Sequence, residues 1–275
     1  MICAWQEYLG VLPGWLAAET DRLGRTKLQE LRLRLGQVPE LKMGTDTCYL
    51  NRLVQKEDLD FIMNKASRYS PWAASTVSSG YLTISGGHRI GICGEAVMKE
   101  GTMHGMRHVT SLNLRVARDF PGIANACGCL DRSILIIGPP GSGKTTLLRD
   151  MLRKRSAAET VGVIDQRGEL FPDGFRRGAS MDVLTGCGKR EGIDILLRTM
   201  GPAAIGVDEI THEDDCEALI RAGWSGVALL ATAHAHCVAD LLKRPVYRPL
   251  VHSGLFAHIL VLDRNKTWKE ERISA

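Results

Sequence analysis

The chain has 275 residues, 44% of them hydrophobic, and a formal net charge of +4 from 35 basic and 31 acidic side chains. That balance suits a globular protein with one large domain or two ordinary ones and a real core. It excludes a basic block of nucleic-acid-binding type and, with no stretch near eighteen uninterrupted apolar residues, a membrane-spanning helix; 5% aromatic residues leave little for stacking single-stranded bases.

Residues 2–24 are predicted helical, with Trp5, Tyr8, Leu9 and Leu12 at helical spacing before Pro13 interrupts. Leu31, Leu33 and Leu35 then alternate with Arg32 and Arg34, which predicts a strand over residues 30–35 with the leucines on one face. Helical spacing returns over 56–69 through Leu59, Ile62, Met63 and Ala66. Residues 80–85 and 88–93 read as two strands joined at Gly86-Gly87, where positive φ is cheap. A further strand is expected over 95–99 with a turn at Glu100-Gly101, and another where Leu112, Leu114 and Val116 alternate with Asn113, Arg115 and Ala117. Residues 1–120 are therefore expected to form a smaller α+β domain with a mainly antiparallel sheet.

Pro121-Gly122 marks the expected boundary. Beyond it, residues 134–137, 161–164, 204–207, 227–231 and 259–262 are short runs apolar on both faces, as strands buried in a parallel sheet are. Residues 145–155, 193–200 and 214–222 between them have helical spacing. Residues 121–275 are thus expected to be an α/β domain, doubly wound around a mainly parallel sheet. The eight cysteines are scattered. Cys127-Gly-Cys129 has the wrong spacing for a zinc knuckle, so free thiols in a cytosolic protein are expected, with no signal peptide at Met1.

Gly138-Pro139-Pro140-Gly141-Ser142-Gly143-Lys144-Thr145, followed by Thr146, is a phosphate-binding loop directly behind an apolar run. Its glycines let backbone N–H groups converge on phosphates, Lys144 supplies a point charge, and the Thr145 hydroxyl is placed to ligate Mg²⁺. The following helix aims its positive dipole end at the anion. ATP and Mg²⁺ are the implied cofactors. Asp208 and Glu209 end the apolar run 204–207, which suits a metal-side carboxylate followed by a catalytic base. Asp165 and Glu169 follow another buried strand and are expected to face the same cluster; a surface turn with an Asp165–Arg167 contact is the competing reading. Thr232, His234 and His236 end a fourth strand. His234 is the candidate for sensing the γ-phosphate or holding water, and a metal site from the two histidines lacks a third ligand. Arg107, Arg115, Arg118 and Arg198 are candidates for the extra positive charge that phosphoryl transfer uses, often delivered from another domain or subunit.

Several segments carry a more specific likeness: Glu30-Leu-Arg-Leu-Arg-Leu-Gly36, Ser85-Gly-Gly-His-Arg-Ile-Gly91, Ser111-Leu-Asn-Leu-Arg-Val-Ala-Arg118 and the phosphate loop with Thr146-Leu-Leu-Arg-Asp150. Asp182-Val-Leu, Glu191-Gly-Ile, Leu197-Arg-Thr-Met-Gly-Pro202 and the stretch from Val207 to Ala235 fit as well. From about residue 30 to about residue 240 the chain resembles the stage III sporulation protein AA family, which is similar to the ring-hexameric ATPases of type II and type IV secretion. The resemblance implies a RecA-like ATPase energising a channel between mother cell and forespore. It also implies a homo-oligomeric ring, cytoplasmic and held at the membrane face by membrane-protein partners, with nucleic acid not expected. It further implies an acidic box matching Asp165 and Glu169, a histidine box matching His234, and phosphate-reaching arginines among Arg107, Arg115 and Arg118. The family's acidic box usually reads Asp-Glu-Arg-Ser-Glu; here Gln166 and Gly168 replace its second and fourth residues. Two other classes stay open on the residues alone: a nucleic-acid-associated phosphate-loop ATPase, and a nucleotide-gated scaffold with negligible turnover.

Overall fold

A computed structural model of the chain describes residues 1–68, 80–128, 131–256 and 258–272. Two compact units emerge: Met1–Asp119 with Asp173–Phe175, and Phe120–Pro172 with Arg176–Ala275.

In the first unit the helical N-terminal stretch is two helices, Trp5–Gly10 (α1) and Gly14–Gly24 (α2), parted at Pro13. The backbone of Ile2 pairs with Asp119, so the two ends of the segment Met1–Asp119 are bonded together. Strand Glu30–Arg34 (β1) buries Leu31 and Leu33 completely, while Arg32 and Arg34 pair with Glu30 and Glu40 on the other face. Leu35, expected beside the buried leucines, is 44% exposed, because the strand ends at Arg34 and the chain turns at Gly36 with φ 73°. A hairpin of Glu40–Met43 (β2) and Asp46–Tyr49 (β3) follows.

Helix Lys56–Arg68 (α3) buries Leu59, Ile62 and Ala66. The predicted end of that helix, Tyr69, lies outside the described residues. Asp58 reaches back to the Gln55 N–H at 2.9 Å and accepts the Trp15 indole at 2.8 Å, tying the start of α3 to α2.

Tyr81–Ile84 (β4) and His88–Lys99 (β5) are joined through Ser85–Gly87, with both glycines at positive φ. The two strands read over 88–93 and 95–99 are one. The register shifts between Cys93 and Glu95, where a Cβ on Gly94 would lie 2.8 Å from the Arg107 carbonyl, so a bulge absorbs the glycine instead of ending the strand. The partner strand, Thr102–Arg115 (β6), starts ten residues earlier than Leu112 because its outer half is exposed and shows no apolar alternation. The six strands form an antiparallel sheet in the order β3-β2-β1-β6-β5-β4.

The second unit is a seven-stranded sheet in the order β13-β12-β7-β11-β10-β8-β9. Its strands are Ile134–Ile137 (β7), Val161–Asp165 (β8), Met181–Thr185 (β9), Ala204–Val207 (β10), Ala228–Ala233 (β11), His258–Leu262 (β12) and Trp268–Arg272 (β13). Every pairing is parallel except β12 with β13.

Alternate residues of one strand serve opposite faces. Ile134 and Ile136 pack with Leu147, Leu148, Met151 and Leu152 of helix Lys144–Arg155 (α4). Leu135 and Ile137 join the core formed with helices Lys189–Thr199 (α5), Glu213–Trp224 (α6), Val238–Lys243 (α7) and Arg248–His252 (α8). That two-sided burial is why these strands read as continuous apolar runs. Gly206 sets the spacing on the α4 side: a Cβ there would lie 2.4 Å from Leu152. Asp150 accepts the Gly122 and Ala124 N–H groups at 2.9 and 2.8 Å, which fixes the entry into this unit against α4.

Among the described residues no helix is long and apolar enough to cross a membrane, and the seven described cysteines are free. Cys129 lies outside the described residues.

Candidate functional site

The ends of β7, β10 and β11 lie side by side because these strands are parallel neighbours. Each carries its polar groups just past its last buried residue, so groups far apart in sequence meet there.

The phosphate loop leaves β7 at Gly138. A Cβ on Gly138 would stand 2.6 Å from the Leu262 carbonyl oxygen and 2.7 Å from Ser142 Oγ, so only glycine fits. Gly141 and Gly143 hold φ of 77° and 95°, and Gly143 caps α4 in the left-handed conformation. Pro139 is half-buried and Pro140 exposed along the loop. Thr146 sits in the first turn of α4. Ser142 is fully buried, and its hydroxyl has no hydrogen-bond partner among the described residues.

Lys144, the first residue of α4, donates from Nζ to the carbonyls of Gly138 (2.9 Å) and Pro139 (3.0 Å) and to His234 Nδ1 (3.3 Å). Burial lowers its pKa below that of an ordinary lysine, and the charges of Asp208 and Glu209 oppose the shift.

Thr232, 1% exposed near the end of β11, organises the two carboxylates. Its hydroxyl donates to Asp208 Oδ1 at 2.6 Å and accepts the Glu209 N–H at 2.7 Å. That second bond helps hold Glu209 at φ 52°, a conformation glutamate rarely adopts. Burial raises the Asp208 carboxyl above the usual range; hydrogen bonds with the Thr232 and Thr145 hydroxyls pull it back, and the Glu209 and Asp165 charges push it further up.

Glu209 then faces two groups: His234 Nε2 at 3.2 Å and Arg167 Nη1 at 3.1 Å. Because Lys144 donates to Nδ1, the imidazole carries its proton on Nε2 and donates it to Glu209. Lys144, His234, Glu209 and Arg167 thus form one hydrogen-bonded chain.

The acidic turn behaves otherwise than its sequence suggests. Asp165 Oδ1 accepts the Glu169 N–H (2.8 Å), and Oδ2 accepts those of Leu170 (3.0 Å) and Phe171 (2.8 Å). Arg149 donates to the carbonyls of Glu169 and Leu170. Burial raises the Asp165 carboxyl and these N–H donors counter it. Asp165 therefore shapes the turn, with both oxygens engaged by backbone. The Asp165–Arg167 contact is replaced by Arg167–Glu209, since Asp165 points into its own turn while Arg167 points out of it. The Glu169 backbone is held by these bonds, its residue half-buried.

His236 is exposed and its N–H caps α7 through Asp240 at 2.9 Å. No group of three His, Cys, Asp or Glu suited to a metal occurs among the described residues. Arg198 donates to the Asp194 carbonyl of its own helix. In the first unit, Arg107 pairs with Glu95, and Arg115 lies 3.7 Å from Glu30. Arg118 donates to the carbonyls of Leu28 and Arg25 and stands over the Trp5 ring. The sequence offered Thr232 as a polar strand-end group and Arg167 as a contact of Asp165, but not Thr232 as the link between two carboxylates or Arg167 as the partner of Glu209. Their only signal was position, each within a residue or two of a buried strand's end.

Known proteins share both the sequence and this architecture. The chain is 35% identical over 260 residues to stage III sporulation protein AA of Bacillus subtilis (strain 168), spanning 87% of this chain and 84% of that protein. Among solved structures, the pilus retraction motor PilT with bound ADP superposes with a TM-score of 0.63 at 14% identity, over 95% of this chain and 78% of that one. The Legionella pneumophila ATPase DotB superposes at 0.60 and 17%, over 90% and 74%. At these identities the likeness establishes the fold alone: a RecA-like α/β domain following a smaller α+β part. The family model described as "Sporulation stage III, protein AA" matches residues 16–272, nearly the whole chain, and the chain belongs to that family.

Proposed function

We propose that this chain is a Mg²⁺-dependent ATPase made of an N-terminal α+β domain, residues 1–120, and a RecA-like domain, residues 121–275. The observation that carries this reading is the linked pair of networks at the strand ends, Lys144–His234–Glu209 beside Thr145–Asp208–Thr232.

The residues fit a nucleotide. The buried Ser142 hydroxyl wants a partner, and the loop excludes side chains at Gly138. The backbone N–H groups of residues 141–145 and the Lys144 ammonium would hold the phosphates, helped by the N-terminus of α4. Thr145 and Asp208 would hold Mg²⁺, which when bound neutralises phosphate charge. Glu209 accepts the proton of the water that attacks the γ-phosphorus, and ADP leaves. His234 orients Glu209 and ties it to Lys144, so a ligand that draws Lys144 off His234 also alters the base. Asp165 and Glu169 shape the neighbouring turn. Arg107, Arg115, Arg118 or Arg198 would serve the transition state from another subunit.

The family and the secretion-type fold support the wider reading: a homo-oligomeric, hexameric ring in the cytoplasm, held at the mother-cell membrane face by membrane-protein partners. There it energises a channel to the forespore, without nucleic acid. The test is hydrolysis and binding by the full chain. Glu209→Gln is expected to bind ATP and lose about 100-fold or more in turnover, and Lys144→Ala to lose binding. Undiminished hydrolysis by Glu209→Gln would overturn the role of that residue. Stimulation by DNA or RNA would favour a nucleic-acid-associated enzyme, and binding without turnover a nucleotide-gated scaffold.

A further inference from the structure

A cavity of about 500 Å³ opens beside the phosphate loop. Pro139 of the loop lines it, with Leu262, Asp263, Thr267 and Trp268 from β12, β13 and the turn joining them. Its size is that of a small-molecule site. None of the groups assigned to phosphate, metal or water above accounts for it.

The turn is braced against the loop. Leu262 carries the carbonyl that excludes a Cβ at Gly138, and Lys266 Cγ lies 4.0 Å from where a Cβ on Gly143 would stand. Asp263 fixes the turn by accepting both the N–H (3.0 Å) and the hydroxyl (2.8 Å) of Thr267. Within the turn Lys266 takes φ 63°, a conformation where glycine or asparagine is at ease. A strained lysine whose stem lies beside the start of a helix asks for a reason beyond the turn itself. The Lys266 ammonium has no ion-pair partner among the described residues. Trp268 offers the cavity an aromatic surface, and a π-face stacks with any nucleobase.

We infer that the β12–β13 turn completes the nucleotide site: the cavity takes the nucleobase against Trp268, and Lys266 lies over the phosphates held by the loop. The occupant follows from continuity, since Pro139 lines both the cavity and the phosphate loop. This inference rests on the reading of that loop as a nucleoside triphosphate site.

Calorimetric binding of Mg²⁺-ATP and of Mg²⁺-tripolyphosphate to the full chain tests it. The wild type binds ATP more tightly than tripolyphosphate. Trp268→Leu weakens ATP about tenfold, the order of one lost stacking surface, and leaves tripolyphosphate unchanged. Lys266→Gly, which relaxes the turn, weakens both ligands. Equal effects of Trp268→Leu on the two ligands, or none on ATP, would overturn the base subsite; unchanged binding by Lys266→Gly would overturn the phosphate contact. A wild type that binds tripolyphosphate and ATP equally removes the subsite alone, whereas one that binds neither removes the nucleotide reading as well.

Discussion

Replacing Thr232 by valine keeps volume and branching but deletes the hydroxyl that serves both Asp208 and Glu209. Two bonds go at once. A hydrogen bond to a charged acceptor contributes ~1.5–3 kcal/mol, and an orphaned buried N–H costs ~1–3 kcal/mol. Two features soften the sum. The Thr145 hydroxyl still bonds to Asp208, and the Asp208 carboxyl, already raised by burial, can take up a proton. The expected loss is therefore about 2–4 kcal/mol of stability. Thr232→Ser keeps the hydroxyl and loses one methyl, about 1 kcal/mol. Urea unfolding of the full chain, followed by circular dichroism and by tryptophan fluorescence, should rank wild type, serine and valine in that order. Turnover should fall with valine by far more than with serine, because Glu209 loses the N–H bond that holds it at φ 52°. A valine variant within about 0.5 kcal/mol of the serine variant would refute the claim that Thr232 holds the site together.

Three further outcomes are expected. Asp165→Asn turns one carboxylate oxygen into an NH₂ facing N–H donors, so the unit should lose about 2–3 kcal/mol in denaturant melts; an unchanged melt with lost turnover would assign Asp165 to chemistry instead of the turn. Gly138→Ala forces a methyl against the Leu262 carbonyl and Ser142 and should cost about 1–3 kcal/mol together with nucleotide binding, read by thermal shift with and without ATP. His88 is fully buried, accepting the Ala117 N–H on Nδ1 at 3.0 Å and donating from Nε2 to the Ala4 carbonyl at 2.9 Å. Burial lowers its pKa; Arg118 adds to the shift and the Ala4 carbonyl opposes it. The unfolded chain then binds a proton that the folded unit refuses, so stability is full above about pH 6.5 and falls as pH drops through that value. Urea midpoints between pH 7.5 and 5.5 should show the drop, and His88→Gln should flatten it.

Much of the architecture was legible because it left a pattern. Runs apolar on both faces marked five strands of the parallel sheet, and the loop at Gly138–Thr145 lay where strand, turn and helix had to meet. The elements passed over lack that signature. β3 is almost wholly exposed, β9 and β13 are edge strands, and the outer half of β6 is polar, so pairing and not burial defines them.

By itself the sequence singled out the polar residues from which the proposed site is built: Lys144, Thr145, Asp208, Glu209 and His234. Their partners it left undecided. Thr232 bonds to Asp208 across 24 residues, Arg167 to Glu209 across 42 and Lys144 to His234 across 90. Only the tertiary structure decides such pairs, because a parallel sheet gathers the ends of strands that the chain visits at long intervals. The same folding turned Asp165 onto its own backbone and set the β12–β13 turn against the phosphate loop, outcomes of geometry that no spacing of residue types records.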